Sequence, residues 1–487
     1  MLTNVLGKKG RFQWGLLGIC ILFSFVLYAP ILNSYFIAED TQRLTYHWSE
    51  INNEFFGIGQ TLGYRPGTTV YHVINNMLWG RNPVGHHATA VFIHALTGWL
   101  VGLFALRVTK NESKAGIAAL LFASSPAHAE AVGWISAAAG TVTSTFICML
   151  ALSLWTKLDR SPDALTIGLV TFLYLIALLT KEIAGLLPGM LMVIDWFMGR
   201  RFTVWQTKEI FRSFLFYWPF YAALGVFALL YWNSGALEDA VAYGTPAGIS
   251  ILLFIARLSL SLRFMFLPIG NFIDVGSGIG NLVWLLLFVI LIGLSRARWT
   301  FVLTLVALIP SLFSTGGRMA YMPMVGFSMG LASLLFDGTY GLSNRINPKL
   351  INPFLAGMVG ILLLGFGIGV YRELVPVIKA GEVIWSIPRQ VKDQVPELPP
   401  KSEIYFIGFP DELIYRWGII YEVRYLYDDP TLTTYSIENG PPVGLTDKIP
   451  LDTIPCESSQ ARYFFKYDAH SKVLSQVGEK EFGLVCP

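Results

Sequence analysis

From Trp14 to Tyr371 the chain is a succession of apolar runs, and no other feature restricts its fold as strongly. The runs centre on residues 14–33, 87–106, 114–134, 137–156, 163–180, 183–199, 213–232, 249–267, 281–294, 299–313, 320–336 and 354–371. A helical run of about 20 apolar residues is long enough to cross a hydrocarbon core of ~30 Å. Only 14% of the 487 residues are charged and 54% are hydrophobic, whereas soluble domains carry about a quarter charged residues. The expected class is an α-helical polytopic membrane protein. A net charge of +3 is too small to imply a nucleic-acid partner.

The placement of the charges says more than their sum. Lys and Arg cluster at Lys8/Lys9/Arg11, Arg107/Lys110/Lys114, Lys157/Arg160, Arg200/Arg201/Lys208/Arg212, Arg296/Arg298 and Arg345/Lys349. If all of these are cytoplasmic, as the positive-inside bias requires, the spans alternate only when one run does not cross. That run is 249–267, because it holds Arg257 and Arg263 and a charge at the bilayer centre costs several kcal/mol. We read it as an interfacial or partly re-entrant helix. About eleven transmembrane helices remain, with the N-terminus inside and the C-terminus outside. The first run is read as a retained span, because no small-residue cleavage site follows it cleanly.

This topology gathers Glu39, Asp40, Arg65, His86, His87, His128, Glu130, Lys181, Glu182, Arg257, Arg263, Asp274 and Arg318 on or near the external face of the plasma membrane. Polar groups at the ends of several apolar helices, on one side, imply a cavity there. The long first external loop, 34–85, contains Tyr46, His47, Trp48, Phe55 and Phe56, a mixture that suits a helix lying in the interface.

After Tyr371 the composition changes. Residues 1–371 are expected as the membrane domain, 372–402 as a linker marked by Pro388, Pro396, Pro399 and Pro400, and 403–487 as a small extracytoplasmic α/β domain. In that domain Glu403–Phe409 reads as a buried strand. Residues 412–428 have helical spacing, and 461–465 with 472–477 read as a hairpin. Cys456 and Cys486 lie in this tail and are a disulfide candidate in an oxidising compartment, whereas Cys20 and Cys148 sit inside apolar runs. No GxGxxG, Walker-type loop, HExxH or paired CxxC occurs.

Each polar constellation has a bland reading and a functional one. Glu39-Asp40 is either two solvated loop acids or a general base at the water–membrane boundary. His128 and Glu130 either cap and pack a helix end or touch a ligand. Lys181-Glu182 is either an internal ion pair or a cation facing a phosphate, with snorkelling as a third reading. Arg318, after Gly316 and Gly317, offers a fork of donors to an anion.

The order of these pieces carries a resemblance. Phe36-Ile-Ala-Glu-Asp40 is followed by Tyr64-Arg-Pro66, then Gly85-His-His87 with His94, then Pro126-Ala-His-Ala-Glu-Ala-Val132. Lys181-Glu182 with Leu187-Pro188 and Asp195-Trp196 comes next, and Arg318-Met-Ala-Tyr-Met-Pro-Met-Val-Gly-Phe327 closes the series. Over about residues 30–330 this resembles the GT-C superfamily of integral membrane glycosyltransferases. It looks most similar to the transmembrane-and-TPR protein O-mannosyltransferases and their prokaryotic relatives. The resemblance implies a polyprenyl-phosphate-linked monosaccharide as donor, inverting transfer and an active site outside the cytoplasm. It assigns catalysis to the acidic pair, here Glu39 and Asp40. The family more often has Asp-Asp, which leaves open which of the two is the base. The family's histidine of the second span matches His87, and its His-x-Glu-Ala-Val element matches His128, Glu130, Ala131 and Val132. Where the family usually has Gly-Arg-Ala-Asp or Gly-Arg-Ala-Glu, this chain has Ala137-Ala-Ala-Gly140. That departure points to a different sugar or acceptor, or to reduced activity. The tail domain stands where the eukaryotic proteins have a TPR array, so the acceptor (protein, glycan or lipid) stays open.

The expected chemistry is displacement at the anomeric carbon, with Asp40 or Glu39 deprotonating an acceptor hydroxyl. Arg318, Lys181, Arg65 and Arg263 are expected to stabilise the departing phosphate. His87, His128, Glu130 and Glu182 belong to the same donor-binding set, and membrane lipids surround an apolar groove for the prenyl chain. No cofactor is required; an Asp/His site for Mg²⁺ or Mn²⁺ stays open. Two rivals are a polyprenyl-lipid transporter or flippase and a catalytically inert GT-C-fold subunit. The first needs polar residues on both faces, and the second finds its support in Ala137–Gly140.

Overall fold

The computed structural model describes residues 8–55, 64–157, 163–199, 207–234, 251–267, 278–312, 316–341, 348–409, 418–437, 448–449, 454 and 460–482. Asp274, Cys456 and Cys486 lie outside them. The first helix, α1 (Lys8–Leu27), has 20 residues and a length of ~30 Å at 1.5 Å per residue. It is followed by α2 (Pro66–Trp79), α3 (Pro83–Thr109), α4 (Glu112–Ala123), α5 (Thr143–Lys157), α6 (Ala164–Thr180) and α7 (Leu187–Phe197). Then come α8 (Thr207–Phe216), α9 (Trp218–Asn233), α10 (Ile251–Met265), α11 (Gly278–Leu294), α12 (Arg298–Ala307), α13 (Pro323–Gly341) and α14 (Pro348–Gln394).

Packing radiates from α3, which lies against α1, α4 and α5. Helix α13 packs on α4 and α12, and α6 packs on α5, α9 and α2. Small residues let these axes approach: a Cβ on Gly326 would lie 2.4 Å from the Thr300 carbonyl, and one on Gly102 would lie 2.7 Å from Leu16. The outer faces are apolar and uncovered, with Leu22, Leu282, Leu286, Val289, Ile361 and Leu364 all exposed. Contiguous apolar surface on this scale fits contact with lipid tails.

Among the described residues four helical stretches are long and apolar enough to cross a membrane: Gly10–Leu27, Pro83–Thr109, Ile135–Lys157 and Lys349–Gln394. Several other expected spans are shorter here. The run 114–134 breaks after Ala123, where Pro126 holds Ser125 extended (φ −63°, ψ 125°), because a residue before proline is driven out of the α region. The chain then turns through Pro126–His128, Ala129–Gly133, Ile135–Ala137 and a π-helical turn, Ala138–Val142, before α5 begins.

The largest departure concerns the linker expected over 372–402. Helix α14 runs unbroken through Pro353, Pro376 and Pro388 to Gln394. An interior proline removes one backbone hydrogen bond. Here Val370, Leu374, Val377, Ala380, Ile384, Ile387 and Val391 form a buried stripe at three- and four-residue spacing. That stripe outweighs the prolines.

Beyond α14, β1 (Glu403–Ile407), α15 (Gly418–Tyr427), β2 (Thr433–Ile437), β3 (Lys448–Ile449), β4 (Arg462–Asp468) and β5 (Val473–Val477) build the small α/β domain. Its sheet has the order β3-β2-β1-β4-β5. The pairs β2–β3, β1–β2 and β1–β4 are parallel. The expected hairpin is β4–β5, antiparallel, with Phe464 opposite Val477.

Candidate active site

The acidic pair lies on a turn that is buried before it reaches the acids. Phe36, Ile37 and Ala38 are fully buried, and Ala38 has φ +51°. A side chain in that left-handed region costs roughly 1–2 kcal/mol. Of the described non-glycine residues with positive φ, Ala38 alone is buried. The turn it makes tucks Asp40 inward and leaves Glu39 half-buried.

Asp40 is 2% exposed. Its Oδ1 accepts from the Ser136 backbone N–H (2.8 Å) and the Ser136 hydroxyl (2.7 Å). Its Oδ2 accepts from the Ile37 N–H at 3.2 Å. Burial, with the neighbouring Glu39 charge, pushes its carboxyl up to about 7 against the pull of the Ser136 and Ile37 hydrogen bonds. A carboxylate has about four lone-pair sites, so Oδ2 retains capacity for one more donor. A buried carboxyl that changes charge near neutrality is suited to general-base work.

The segment that holds Asp40 also holds Lys181. Lys181 breaks the chain between α6 and the 3₁₀ turn Glu182–Leu186 with extended φ −160°, ψ 139°. Its Nζ donates to Thr141 Oγ1 at 2.7 Å. A Cβ added to Gly140 would lie 3.1 Å from Lys181 Cδ. Burial lowers the ammonium to about 7, with the Arg65 charge adding to the effect and Glu182 opposing it. Ser136 and Thr141 thus anchor one acid and one base from a single stretch of backbone.

Two ion pairs flank Lys181. Arg65 makes a bidentate pair with Glu182, Nε to Oε2 at 2.9 Å and Nη2 to Oε1 at 2.7 Å. Burial would raise the Glu182 carboxyl, but Arg65 and Lys181 hold it down at about 2. On the other side Arg318 Nη1 donates to Glu130 Oε1 at 2.8 Å, and its backbone N–H donates to Oε2 at 3.1 Å. The Arg318 guanidinium lies 4.8 Å from the Trp134 ring centre. Gly316 and Gly317 make room here: a Cβ on Gly317 would sit 3.2 Å from Glu130 Oε2. The Lys181 ammonium feels the charges of both pairs, and Arg65 also feels Glu39. Acids and cations therefore form one continuous field from Glu39 to Arg318.

The structure brings together Glu39, Asp40, Arg65, Glu130, Lys181, Glu182 and Arg318. Arg65 and Arg318, both expected at the donor phosphate, are each paired with a glutamate. Among the described residues Lys181 takes part in no ion pair. His128, expected in the donor-binding set, is fully buried in an aromatic cluster, 4.3 Å from Tyr321, 4.5 Å from Phe122 and 5.3 Å from His94 between ring centres. His87 is buried on α3, against the backbone of Ser34. Arg263 is half-buried on α10, the helix that packs on the turns carrying His128 and Arg318. Asp195, another residue of the motif series, is a structural tie: it accepts from Trp155 Nε1 (2.9 Å) and the Tyr217 hydroxyl (2.7 Å). No three His, Cys, Asp or Glu side chains meet as metal ligands among the described residues. Sequence reasoning missed Ser136 and Thr141, which flank Ala137–Gly140.

No family model matches the chain. Protein O-mannosyl-transferase Tmtc1 of Drosophila melanogaster is 29% identical over 184 residues, 35% of this chain and 21% of that protein. Protein O-mannosyl-transferase TMTC2 of Mus musculus is 28% identical over 275 residues, 50% of this chain and 32% of that protein. The chain thus spans about a fifth to a third of the length of these curated relatives. Among solved structures, ArnT from Cupriavidus metallidurans in the apo state superposes with a TM-score of 0.51 at 13% identity, covering 94% of this chain and 93% of that one. The chain is an integral membrane protein with the GT-C fold of membrane glycosyltransferases, and its sequence is similar to that of the protein O-mannosyl-transferases.

Proposed function

We propose that this protein transfers a monosaccharide from a polyprenyl-phosphate-linked donor to an acceptor hydroxyl, with Asp40 as the general base. The observation that carries the reading is the buried Asp40 carboxylate, fixed by Ser136 and raised to about 7. It stands in the same electrostatic field as Lys181, Arg65 and Arg318. In the proposed step the acceptor O–H proton passes to Asp40 Oδ2 while the oxygen forms its bond to the anomeric carbon. The bond from that carbon to the phosphate oxygen breaks, and the polyprenyl phosphate leaves with the electron pair, inverting the centre.

Lys181 is the cation best placed to meet the phosphate charge, because among the described residues its Nζ donates to a neutral hydroxyl and joins no ion pair. Arg65 and Arg318 would reach the phosphate by dividing their guanidinium donors between it and Glu182 and Glu130. Preorganised donors of this kind act on developing charge without reorganisation. The names of the similar proteins, protein O-mannosyl-transferases, favour mannose as the sugar and a hydroxyl-bearing protein as the acceptor. The one-sided array of polar residues favours the external face of the plasma membrane.

The test is transfer from a polyprenyl-phospho-mannose by the purified full-length protein and its Asp40→Asn and Glu39→Gln variants. Loss of a positioned general base costs about 10²- to 10⁴-fold, and that loss is expected for Asp40→Asn, with a smaller one for Glu39→Gln. Full transfer by both variants would sink the mechanism.

A further inference from the structure

The turn carrying the acidic pair is pressed from behind by two glycines, one on α14 and one on α15 of the tail domain. On α14, a Cβ at Gly381 would lie 2.8 Å from the Tyr35 carbonyl oxygen and 2.7 Å from Ser34 Oγ. On α15, a Cβ at Gly418 would lie 2.4 Å from the Ala38 carbonyl oxygen, 2.9 Å from the Ala38 nitrogen and 2.8 Å from Ile384. Both obstacles include backbone, which cannot swing aside as a flexible side chain does. Ala38 is the residue held at φ +51°, and the C-terminal domain backs directly onto it.

A buried charge cluster locks the same contact. Glu422 on α15 is fully buried. Its Oε2 accepts from Arg81 Nη2 at 2.9 Å, and its Oε1 accepts from Arg389 Nη2 at 3.2 Å and from the Tyr35 hydroxyl at 2.9 Å. Arg81 Nη2 also donates to the Tyr35 hydroxyl at 3.1 Å. The guanidinium of Arg389 lies 3.3 Å from the Trp385 ring centre, and Tyr35 packs edge-on against the same ring at 4.6 Å. The connection between α2 and α3, the far end of α14, the tail domain and the residue five before Asp40 therefore meet at one carboxylate. A buried carboxylate with two arginines is costly to bury and costly to break. It fixes a geometry more surely than it adds stability.

We propose that Gly418 and Glu422 of the C-terminal domain are positioning residues for the acidic pair. Through Ala38 and Tyr35 they hold the turn in the conformation that seats Asp40 on Ser136. The tail domain is then part of the catalytic architecture, acting through the backbone of residues 35–38. This rests on the reading of Asp40 as the base. The groups that face Asp40 are Glu39 on its own turn, Tyr71 from α2 and Ser136 from the Ile135–Ala137 turn. Helices α14 and α15 press on the residues before it through Gly381, Gly418, Arg389 and Glu422, and α15 also packs on Asp40–Arg43.

The experiment uses the full-length protein in lipid nanodiscs with Gly418→Ala, Glu422→Gln and, as a milder change, Tyr35→Phe. Hydrogen exchange is followed at residues 34–43, whose Asp40 and Ile37 amides are bonded within the turn, with strand Glu403–Ile407 as the internal reference. Gly418→Ala is expected to speed exchange at 34–43 at least tenfold while the strand stays protected. Transfer should lose kcat with donor KM unchanged, and the acid limb of its pH profile should move to lower pH as Asp40 gains water. Unchanged exchange at 34–43 in both Gly418→Ala and Glu422→Gln would overturn the proposal. So would a fall in active fraction with kcat per folded molecule and the acid limb unmoved. If the unaltered protein transfers no sugar from any polyprenyl-phospho-sugar, the function reading fails, and the exchange measurement still decides whether the tail positions the turn.

Discussion

Under the proposed mechanism Asp40 and Lys181 set a narrow pH window between them. The carboxyl, raised to about 7 by burial, acts as a base only above that value. The ammonium, lowered to about 7 by burial and by Arg65, is charged only below it. If both forms are needed, kcat/KM is bell-shaped and centred near neutrality. Donor phosphate beside Lys181 favours its charged form, so donor binding should take up a proton near pH 7 and weaken at higher pH. Ser136 supplies a cleaner test, because its hydroxyl stabilises ionised Asp40 while touching no other acid in the site. Ser136→Ala keeps the backbone N–H bond and loses the hydroxyl. The Asp40 pKa therefore rises further, and the acid limb moves up by about one pH unit, the worth of one charge-assisted hydrogen bond. An unmoved acid limb would mean that another group titrates there. Glu39-Asp40 is legible in the sequence because two carboxylates beside an apolar run stand out. Ser136 was silent: a serine before three small residues carries no signal until the turn at Trp134 aims it at Asp40.

Among the elements, α14 shows where local rules lose to packing. Pro388, Pro396, Pro399 and Pro400 read as a linker, yet the stripe from Val370 to Val391 is apolar at helical spacing. Weighing the stripe against the prolines would have recovered the helix. The opposite failure occurs at Ser124–Pro126, where an apolar run hides a break that the proline announces. These two elements fix what the site can be: the break turns the chain toward Asp40, and the continuous helix carries the tail domain back to the same turn. If α14 is a packed helix, Pro376→Ala restores a backbone hydrogen bond and leaves the unfolding midpoint unchanged or raised. Ile384→Ala, by contrast, empties a fully buried position beside Gly418 and should cost about 2–5 kcal/mol. A linker would show no loss of stability for Ile384→Ala, and thermal unfolding of the purified variants separates the two cases.

At the scale of the whole molecule, counting apolar runs was enough for the class but not for the spans, since charge placement cannot reveal which runs break inside. The packing nevertheless dictates one topological relation that holds whichever way the protein faces. Gly418 and Glu422 touch Ala38 and Tyr35, so the tail domain and the acidic turn must lie on the same side of the membrane. The start of α1 lies ~30 Å from its end and must lie on the other. Single cysteines at the exposed positions Arg11, His47 and His470, introduced after the four native cysteines are replaced by serine or alanine, report this directly. A membrane-impermeant maleimide applied to intact cells should label His47→Cys and His470→Cys together and leave Arg11→Cys untouched until the membrane is opened. That pattern would also put the acidic turn outside, as the charge distribution expects. The reverse pattern, with only Arg11→Cys labelled, would keep the packing and overturn the external site. Labelling of positions 47 and 470 from opposite sides would break the link between tail and turn, and with it any role for the tail in seating Asp40.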